Sequence, residues 1–394
     1  MTGKRIDQFI RNEREAELAA WADRLAVRFA ERAAKHDAEG TFPFENFADL
    51  KEAGYAKLTV SRDYGGDGLS LYEWLLVQER IARGDGSTAL SAGWHGGMML
   101  HFREADGWPE PTFSEFCQDV VAHGNMINKF ASERGTGSPT RGGRPETTAV
   151  RTEGGWLLNG RKTYSTLSPM LTDFIVSAGL DGQPEIGDFL IRSREGIEVE
   201  ETWNTLGMRA TGSHDVVLHD VFVPDRQVLN IYKPGAPKTG RDDGDGWLLH
   251  IPACYLGIAY AARDFALQYA ANYTPNSLNE PIATLPHIRQ WIGQIESELR
   301  LARTLLYDVA DRWDRQPEER KHMRPDFGLV KYNAVHLANQ VVDKSMKIVG
   351  GAALSKNLPL ERLYRDVRAG LHNPPMEDAV IQTMARTALE ELDA

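Results

Sequence analysis

The sequence predicts an α+β protein in three consecutive parts: an N-terminal all-α domain over residues 1–125, a middle β domain over 126–232 and a C-terminal four-helix bundle over 233–394. Three observations carry this expectation. Apolar residues recur at three- and four-residue steps through most of the first 125 positions. Between about 128 and 224 they fall instead into short runs bounded by Gly, Asp and Pro, and after Trp247 the helical spacing returns in long blocks. Helices, then strands, then helices in separate stretches point to a segregated fold rather than to alternating βαβ units.

Residues 11–35 place alanines, leucines, Trp21 and Phe29 at helical spacing between Glu and Arg positions, which is an amphipathic helix. Shorter helices follow at 44–53, 70–83 and 87–102, with Gly54, Gly84 and the loop Tyr64-Gly65-Gly66-Asp67-Gly68 as stops. The strand runs are Trp156-Leu157-Leu158, Phe174-Ile175-Val176-Ser177, Phe189-Leu190-Ile191 and Asp215-Val216-Val217-Leu218-His219. Blocks at 247–273, 285–315, 327–349 and 376–392 read as bundle helices with short polar connections. The polar, glycine-rich stretch 233–246 reads as a linker or mobile loop.

Composition narrows the function. A chain of 394 residues with 42% hydrophobic content can bury a sizeable core. A net charge of −11 without a sustained basic patch argues against nucleic acid and anionic membranes as partners. Cys117 and Cys254 are the only cysteines, too few and too far apart for a disulfide framework, and no His/Cys cluster has metal-ligand spacing. The segment 247–269 is the most apolar, but His250, Arg263 and Asp264 within it favour a buried bundle helix over a membrane span. The N-terminus lacks an apolar signal core, so a cytoplasmic location is expected.

Two segments suggest a seat for a flat heterocycle. Phe130-Ala131-Ser132 and Tyr164-Ser165-Thr166 each set hydroxyls within two residues of an aromatic ring, on runs short enough to be strands. Around them stand the Tyr-Gly-Gly loop at 64–66, Ser132-Glu133-Arg134-Gly135-Thr136-Gly137-Ser138, Asn159-Gly160-Arg161-Lys162, the run from Trp203 through Gly207, Arg209 and Ser213, Val221-Phe222-Val223-Pro224, Ile348-Val349-Gly350-Gly351 and Tyr364-Arg365-Asp366. In this order they resemble the acyl-CoA dehydrogenase superfamily over essentially the whole chain, including its flavin-dependent monooxygenase branch.

That resemblance implies a flavin between sheet and bundle, with Phe130 and Ser132 at the ring edge, Ser138 near the pyrophosphate or substrate, Tyr164 packed on the ring and Thr166 reaching N5. Gly350 and Gly351, with Lys347 where relatives commonly carry Gln, would serve the flavin of a neighbouring subunit, which makes a homodimer or homotetramer the working unit. The family's Arg-x-x-Phe-Gly segment, which contacts the diphosphate, is replaced by Tyr273-Thr274-Pro275-Asn276-Ser277. FAD is therefore the first expectation, and FMN or reduced flavin supplied by a reductase the alternative.

The reaction implied first is oxidation of the Cα–Cβ bond of an acyl-CoA, by α-proton abstraction and hydride transfer to N5, with electrons passed to a separate carrier. It needs a carboxylate across the substrate from the flavin. The family's usual base position aligns here with Pro374 or Met376, neither of which takes a proton, and the family's other known base position falls near Trp247. Glu377 and Asp378 are the candidate substitutes; equally, they fit the first turn of a last helix, where acidic side chains complement its dipole. The second reading uses His372. The monooxygenases of this fold resemble the chain in following an Arg-rich segment with Leu-His-Asp-Pro, here Leu371-His372-Asn373-Pro374. A histidine there can deprotonate a phenol. The resemblance puts His95 and Arg209 on the substrate side. A noncatalytic flavin-binding protein is the third class.

Overall fold

The computed structural model describes residues 7–105, 108–136, 143–234, 245–390 and 392. The N-terminal helices are α1 (Glu13–Glu39), α2 (Phe44–Glu52), α3 (Leu71–Gly84), α4 (Gly86–Ala105) and α5 (Glu110–His123). Sequence sets their ends. Asn12 caps α1 by accepting from Glu15 N, Gly40 closes it at φ 66°, and Ser70 with Glu73 forms a reciprocal capping box on α3. Helix α5 was not singled out from sequence because Pro109 and Pro111 look like breakers. In the first turn a proline loses no helical hydrogen bond, and the helix starts there.

The middle region is one eight-stranded sheet: β1 (Ile127–Phe130), β2 (Thr148–Thr152), β3 (Gly155–Ser165), β4 (Asp173–Leu180), β5 (Ile186–Ile191), β6 (Ile197–Glu200), β7 (His214–Pro224) and β8 (Val228–Tyr232). Its order is β6-β7-β3-β2-β4-β5-β8, with β1 added parallel to β4. Strand β4 is buried along its whole length, as a central strand covered on both faces should be. The antiparallel β3–β7 pair slips register between Lys162 and Ser165, and that irregularity re-aims the side chains that follow.

The C-terminal helices are α6 (His250–Asn272), α7 (Pro286–Arg315), α8 (Arg324–Val349), α9 (Leu360–Arg368) and α10 (Glu377–Glu390). Helix α6 is buried on nearly every face of its first ten residues because it runs between α3 and α8. The nine-residue α9 is too short to stand out as a block in the sequence. No described helix is long and apolar enough to cross a membrane. Of the stretch 233–246, residues 235–244 lie outside the described residues, and 246–249 form a 3-10 turn leading into α6.

A buried charge network ties the two helical regions together. Arg303 of α7 donates to Glu79 of α3 at 2.8 Å and to both carboxylate oxygens of Asp7 at 3.0 Å, while Arg83, Arg80 and the Tyr307 hydroxyl complete the shell. Burial pushes the Glu79 carboxyl up, but the surrounding guanidinium groups outweigh it and hold it below the usual range.

Candidate active site

The end of β3 presents an open aromatic face. Tyr164 sits at φ 55° and is 70% exposed, its ring 5.7 Å from Trp203 in an edge-to-face arrangement. A left-handed backbone is uncommon for a tyrosine, and it follows directly from the β3–β7 irregularity. Just beyond it a chain of hydroxyls is buried: Thr166 Oγ1 lies 2.8 Å from Ser213 Oγ, which lies 2.7 Å from Thr211 Oγ1. The neighbouring Ser165 hydroxyl is buried with no hydrogen-bond partner. An exposed ring face, a hydroxyl relay and an orphaned donor beside it fit a flat ring with a polar edge, as an isoalloxazine has.

The segment before this seat is held by a second polar node. Thr163 N donates to Ser132 O at 2.9 Å. Glu133, buried, accepts from Glu146 N at 2.5 Å, Thr147 N at 3.2 Å, Thr147 Oγ1 at 2.6 Å and the Lys162 ammonium, which also donates to Ser177 O at 2.6 Å. Burial works against both charges. Around Glu133 it is outweighed by Lys162 and the other donors, which hold the carboxyl below its ordinary value; burial pulls Lys162 down against the pull of Glu133. Motif order pointed to neither role, although the Asn-Gly-x-Lys signature already contained Lys162.

The other expected residues divide. Phe130 is 2% exposed and its ring is stacked on Phe174 at 5.1 Å, so its side chain is committed to the core. Ser138 lies outside the described residues. His95 is not an open ligand: it is fully buried, its Nδ1 accepts from Ile127 N at 3.0 Å and its Nε2 donates to Ala56 O at 2.8 Å, pinning β1 to α4 and the turn at Ala56. Burial lowers its pKa to about 4. Arg209 is largely spent on structure, donating to Asp37 O at 2.6 Å and Thr205 O at 3.1 Å.

Between α9 and α10 the chain carries His372, exposed, and Asn373, whose Oδ1 accepts from the buried Tyr255 hydroxyl at 2.5 Å. Glu377 and Asp378 open α10 as exposed first-turn acids. Glu377 pairs with His336 of α8 at 3.1 Å. The structure thus gives Glu377 the helix-start role that the sequence allowed for, and directs it to α8 rather than toward the seat.

Comparison with known proteins agrees with this geometry. Three successive models match, the acyl-CoA dehydrogenase N-terminal domain at residues 12–107, its middle domain at 129–221 and its C-terminal domain at 249–373. The provisionally assigned acyl-CoA dehydrogenase YdbM of Bacillus subtilis (strain 168) is 45% identical over 383 residues, 97% of this chain and 99% of that protein. The chain belongs to the acyl-CoA dehydrogenase family. Amino sugar nitrososynthase RubN8 of Streptomyces rubradiris is 32% identical, covering 91% of this chain and 86% of that one. KijD3, solved with FMN and a dTDP-linked amino keto sugar, superimposes with a TM-score of 0.83 at 26% identity over 96% of this chain and 94% of its own.

As a member of the acyl-CoA dehydrogenase family the protein is a flavoprotein oxidoreductase, and its family spans dehydrogenases and nitrososynthases on one frame. Gly350 and Gly351 leave α8 at the surface, Gly350 at φ 71°, and a Cβ on either would meet open space; Lys347, one turn earlier, is exposed. Motif reading missed Asp366, which binds the family's Gly-Met-Arg segment to α9 by accepting from Met208 N at 2.6 Å. Burial pushes its carboxyl up to about 7, against the pull of Arg362. The Tyr-Arg-Asp motif contained that residue but gave no sign that its carboxylate faces inward.

Proposed function

We propose that this chain is a reduced-flavin-dependent monooxygenase acting on a small molecule, with His372 as its acid-base group and a separate reductase supplying the flavin. The observation that carries this reading is the segment between α9 and α10. The position where a dehydrogenase needs a carboxylate falls on Pro374 or Met376, His372 stands just before it, and the first carboxylate after it, Glu377, is engaged by His336. The nitrososynthase relatives, by their name makers of a nitroso group on an amino sugar, support oxygen chemistry on this frame. Loss of the diphosphate-contacting Arg segment suits FMN or a loosely held flavin.

When bound, the flavin supplies two-electron redox chemistry and, once reduced, reactivity toward dioxygen. The chain's own residues do the rest. Tyr164 stacks one face, and the Thr166–Ser213–Thr211 relay offers hydroxyls to the ring edge. The Glu133–Lys162 node fixes the two segments that carry those groups, and Lys347, Gly350 and Gly351 face a nucleotide held across a homodimer or homotetramer contact. His372 takes a proton from the substrate's reacting heteroatom.

The second reading is an FAD-dependent acyl-CoA dehydrogenase coupled to an electron-transfer partner, favoured by the likeness to YdbM. One experiment separates them. Flavin-loaded protein is mixed anaerobically with a panel of acyl-CoAs, and in parallel reduced FMN or FADH₂ is titrated and exposed to oxygen. The proposal expects no bleaching by any acyl-CoA and tighter binding of reduced than of oxidised flavin. Bleaching by a CoA thioester would replace it with the dehydrogenase.

A further inference from the structure

The hydroxyl relay at the ring seat has a closed end and an open one. Thr211 is 1% exposed, Ser213 5% and Thr166 8%, so the relay runs from the core out to Thr166. At the closed end Thr211 Oγ1 donates to Met208 O at 3.2 Å, and that carbonyl also accepts from Trp203 Nε1 at 3.0 Å. Met208 stands at φ 53° and its N–H donates to Asp366 at 2.6 Å, which fixes the direction of its peptide. A carbonyl can only accept. At the open end the backbone of Thr166 is committed, its N–H to Tyr164 O at 2.9 Å and its carbonyl to Asn128 Nδ2 at 3.0 Å. Its hydroxyl is what remains for a ring edge.

No neighbouring hydroxyl among the described residues feeds this relay. Ser91 Oγ donates to Thr211 O at 3.3 Å and Ser168 Oγ to Gly212 O at 2.9 Å, while Ser165 Oγ has no partner. Each relay hydroxyl carries one hydrogen and accepts through its lone pairs. A ring atom at Thr166 makes a fourth contact, after Thr166–Ser213 at 2.8 Å, Ser213–Thr211 at 2.7 Å and Thr211–Met208 O at 3.2 Å. Three hydrogens cannot fill four contacts. If the ring atom is an acceptor, one contact always sets two oxygens, or an oxygen and the ring atom, lone pair to lone pair. If it is a donor, its hydrogen is the fourth, and every contact becomes a hydrogen bond running inward to Met208 O. An isoalloxazine edge offers both cases, because N5 is a bare acceptor in the oxidised ring and an N–H in the reduced one.

We propose that the chain Thr166–Ser213–Thr211–Met208 O is a one-way acceptor that makes the seat select reduced over oxidised flavin. This rests on the reading of the seat as a flavin site and gives it a preference between the two forms. The advantage of the reduced ring is one neutral hydrogen bond, set by Thr211 and Met208 at the far end of the relay. The test is anaerobic equilibrium dialysis of the full chain against oxidised FMN and against FMN reduced with dithionite. Wild-type protein is expected to hold the reduced form about tenfold more tightly, ~1.4 kcal/mol. Thr211→Val leaves two hydroxyls for two contacts, which an acceptor ring atom fills completely, so the preference is expected to fall within twofold or to invert. Thr211→Ser keeps the hydroxyl and should keep the preference. In wild-type protein loaded with reduced, ¹⁵N5-labelled FMN, the N5–H proton should lie downfield of its position in free reduced FMN, a readout that needs no variant to fold. Equal wild-type affinities, an unshifted N5–H proton, a preference that survives Thr211→Val or one that is lost in Thr211→Ser overturns the relay. Flavin still binds in each of those outcomes, so the seat stands; failure of both forms to bind would sink the seat itself. Bleaching by an acyl-CoA would overturn the oxygen reading and leave the relay standing.

Discussion

The ring seat and the segment between α9 and α10 differ most in how they are held. Around the seat, Glu133 is buried under four donors and the three hydroxyls of Thr166, Ser213 and Thr211 satisfy one another. Past α9, His372 and Glu377 are exposed, and the hydrogen bond from Tyr255 to Asn373 reaches the segment from the core. Exchange of a side chain is expensive in the first region and cheap in the second. On the proposed reading, a family can thus keep one cofactor frame while altering its reaction, because the residues assigned to proton handling sit where substitution leaves the core intact.

The sharpest way to break this contrast is Glu133→Gln, which strands the buried Lys162 ammonium; a loss of about 3–5 kcal/mol in denaturant unfolding is expected. A loss below about 1 kcal/mol would mean that the node does not hold the seat. Next comes Asp366→Asn. Burial raises the Asp366 carboxyl from 3.8 to about 7, so between those values the folded chain keeps a proton that the unfolded chain has lost. Its stabilising contribution is full below about pH 4, falls as pH rises toward 7 and is flat above. At about 1.4 kcal/mol per unit the upper bound is on the order of 4 kcal/mol. Subtracting the Asn variant's stability from that of the wild type across pH 4–8 should reveal the decline, and a level difference would contradict the assignment.

Tyr164→Ala should weaken flavin binding by about tenfold, roughly 1.4 kcal/mol, through loss of the stacking face. With the ring 70% exposed, the melting temperature should not move, and fluorescence titration with calorimetry checks both halves. Smallest of all, Glu377→Gln should change stability by less than about 0.5 kcal/mol and turnover by less than twofold, since it removes only a surface pair. A large loss of turnover there would return Glu377 to the role of catalytic base.

Much of the fold was legible in the sequence because periodicity reports burial. The buried α6 and the strands β3, β4, β5 and β7 follow from apolar spacing alone. Helix α5 was hidden by prolines whose effect depends on their place in the first turn, and α9 by its length. At the site, Tyr164 and Thr166 were legible as a pattern, but their exposure and pairing depend on the β3–β7 irregularity, which no spacing reveals. His95 looked available because sequence cannot show both of its nitrogens already bonded.

The Asp7–Glu79–Arg303 network bears on how the chain is made. Glu79 and its partner Arg303 are 224 residues apart, and α3, with Leu71, Trp74, Leu75, Leu76, Val77 and Ile81 all buried, packs against α6 and α7 as well as α1. At about 5–20 residues per second, roughly 10–45 s of translation separate the emergence of α3, where Arg83 already pairs with Glu79 within the helix, from that of Arg303. During that interval the apolar face of α3 lacks the α6 and α7 surfaces that cover it in the folded chain, while the sheet, whose eight strands pair only with one another, completes first.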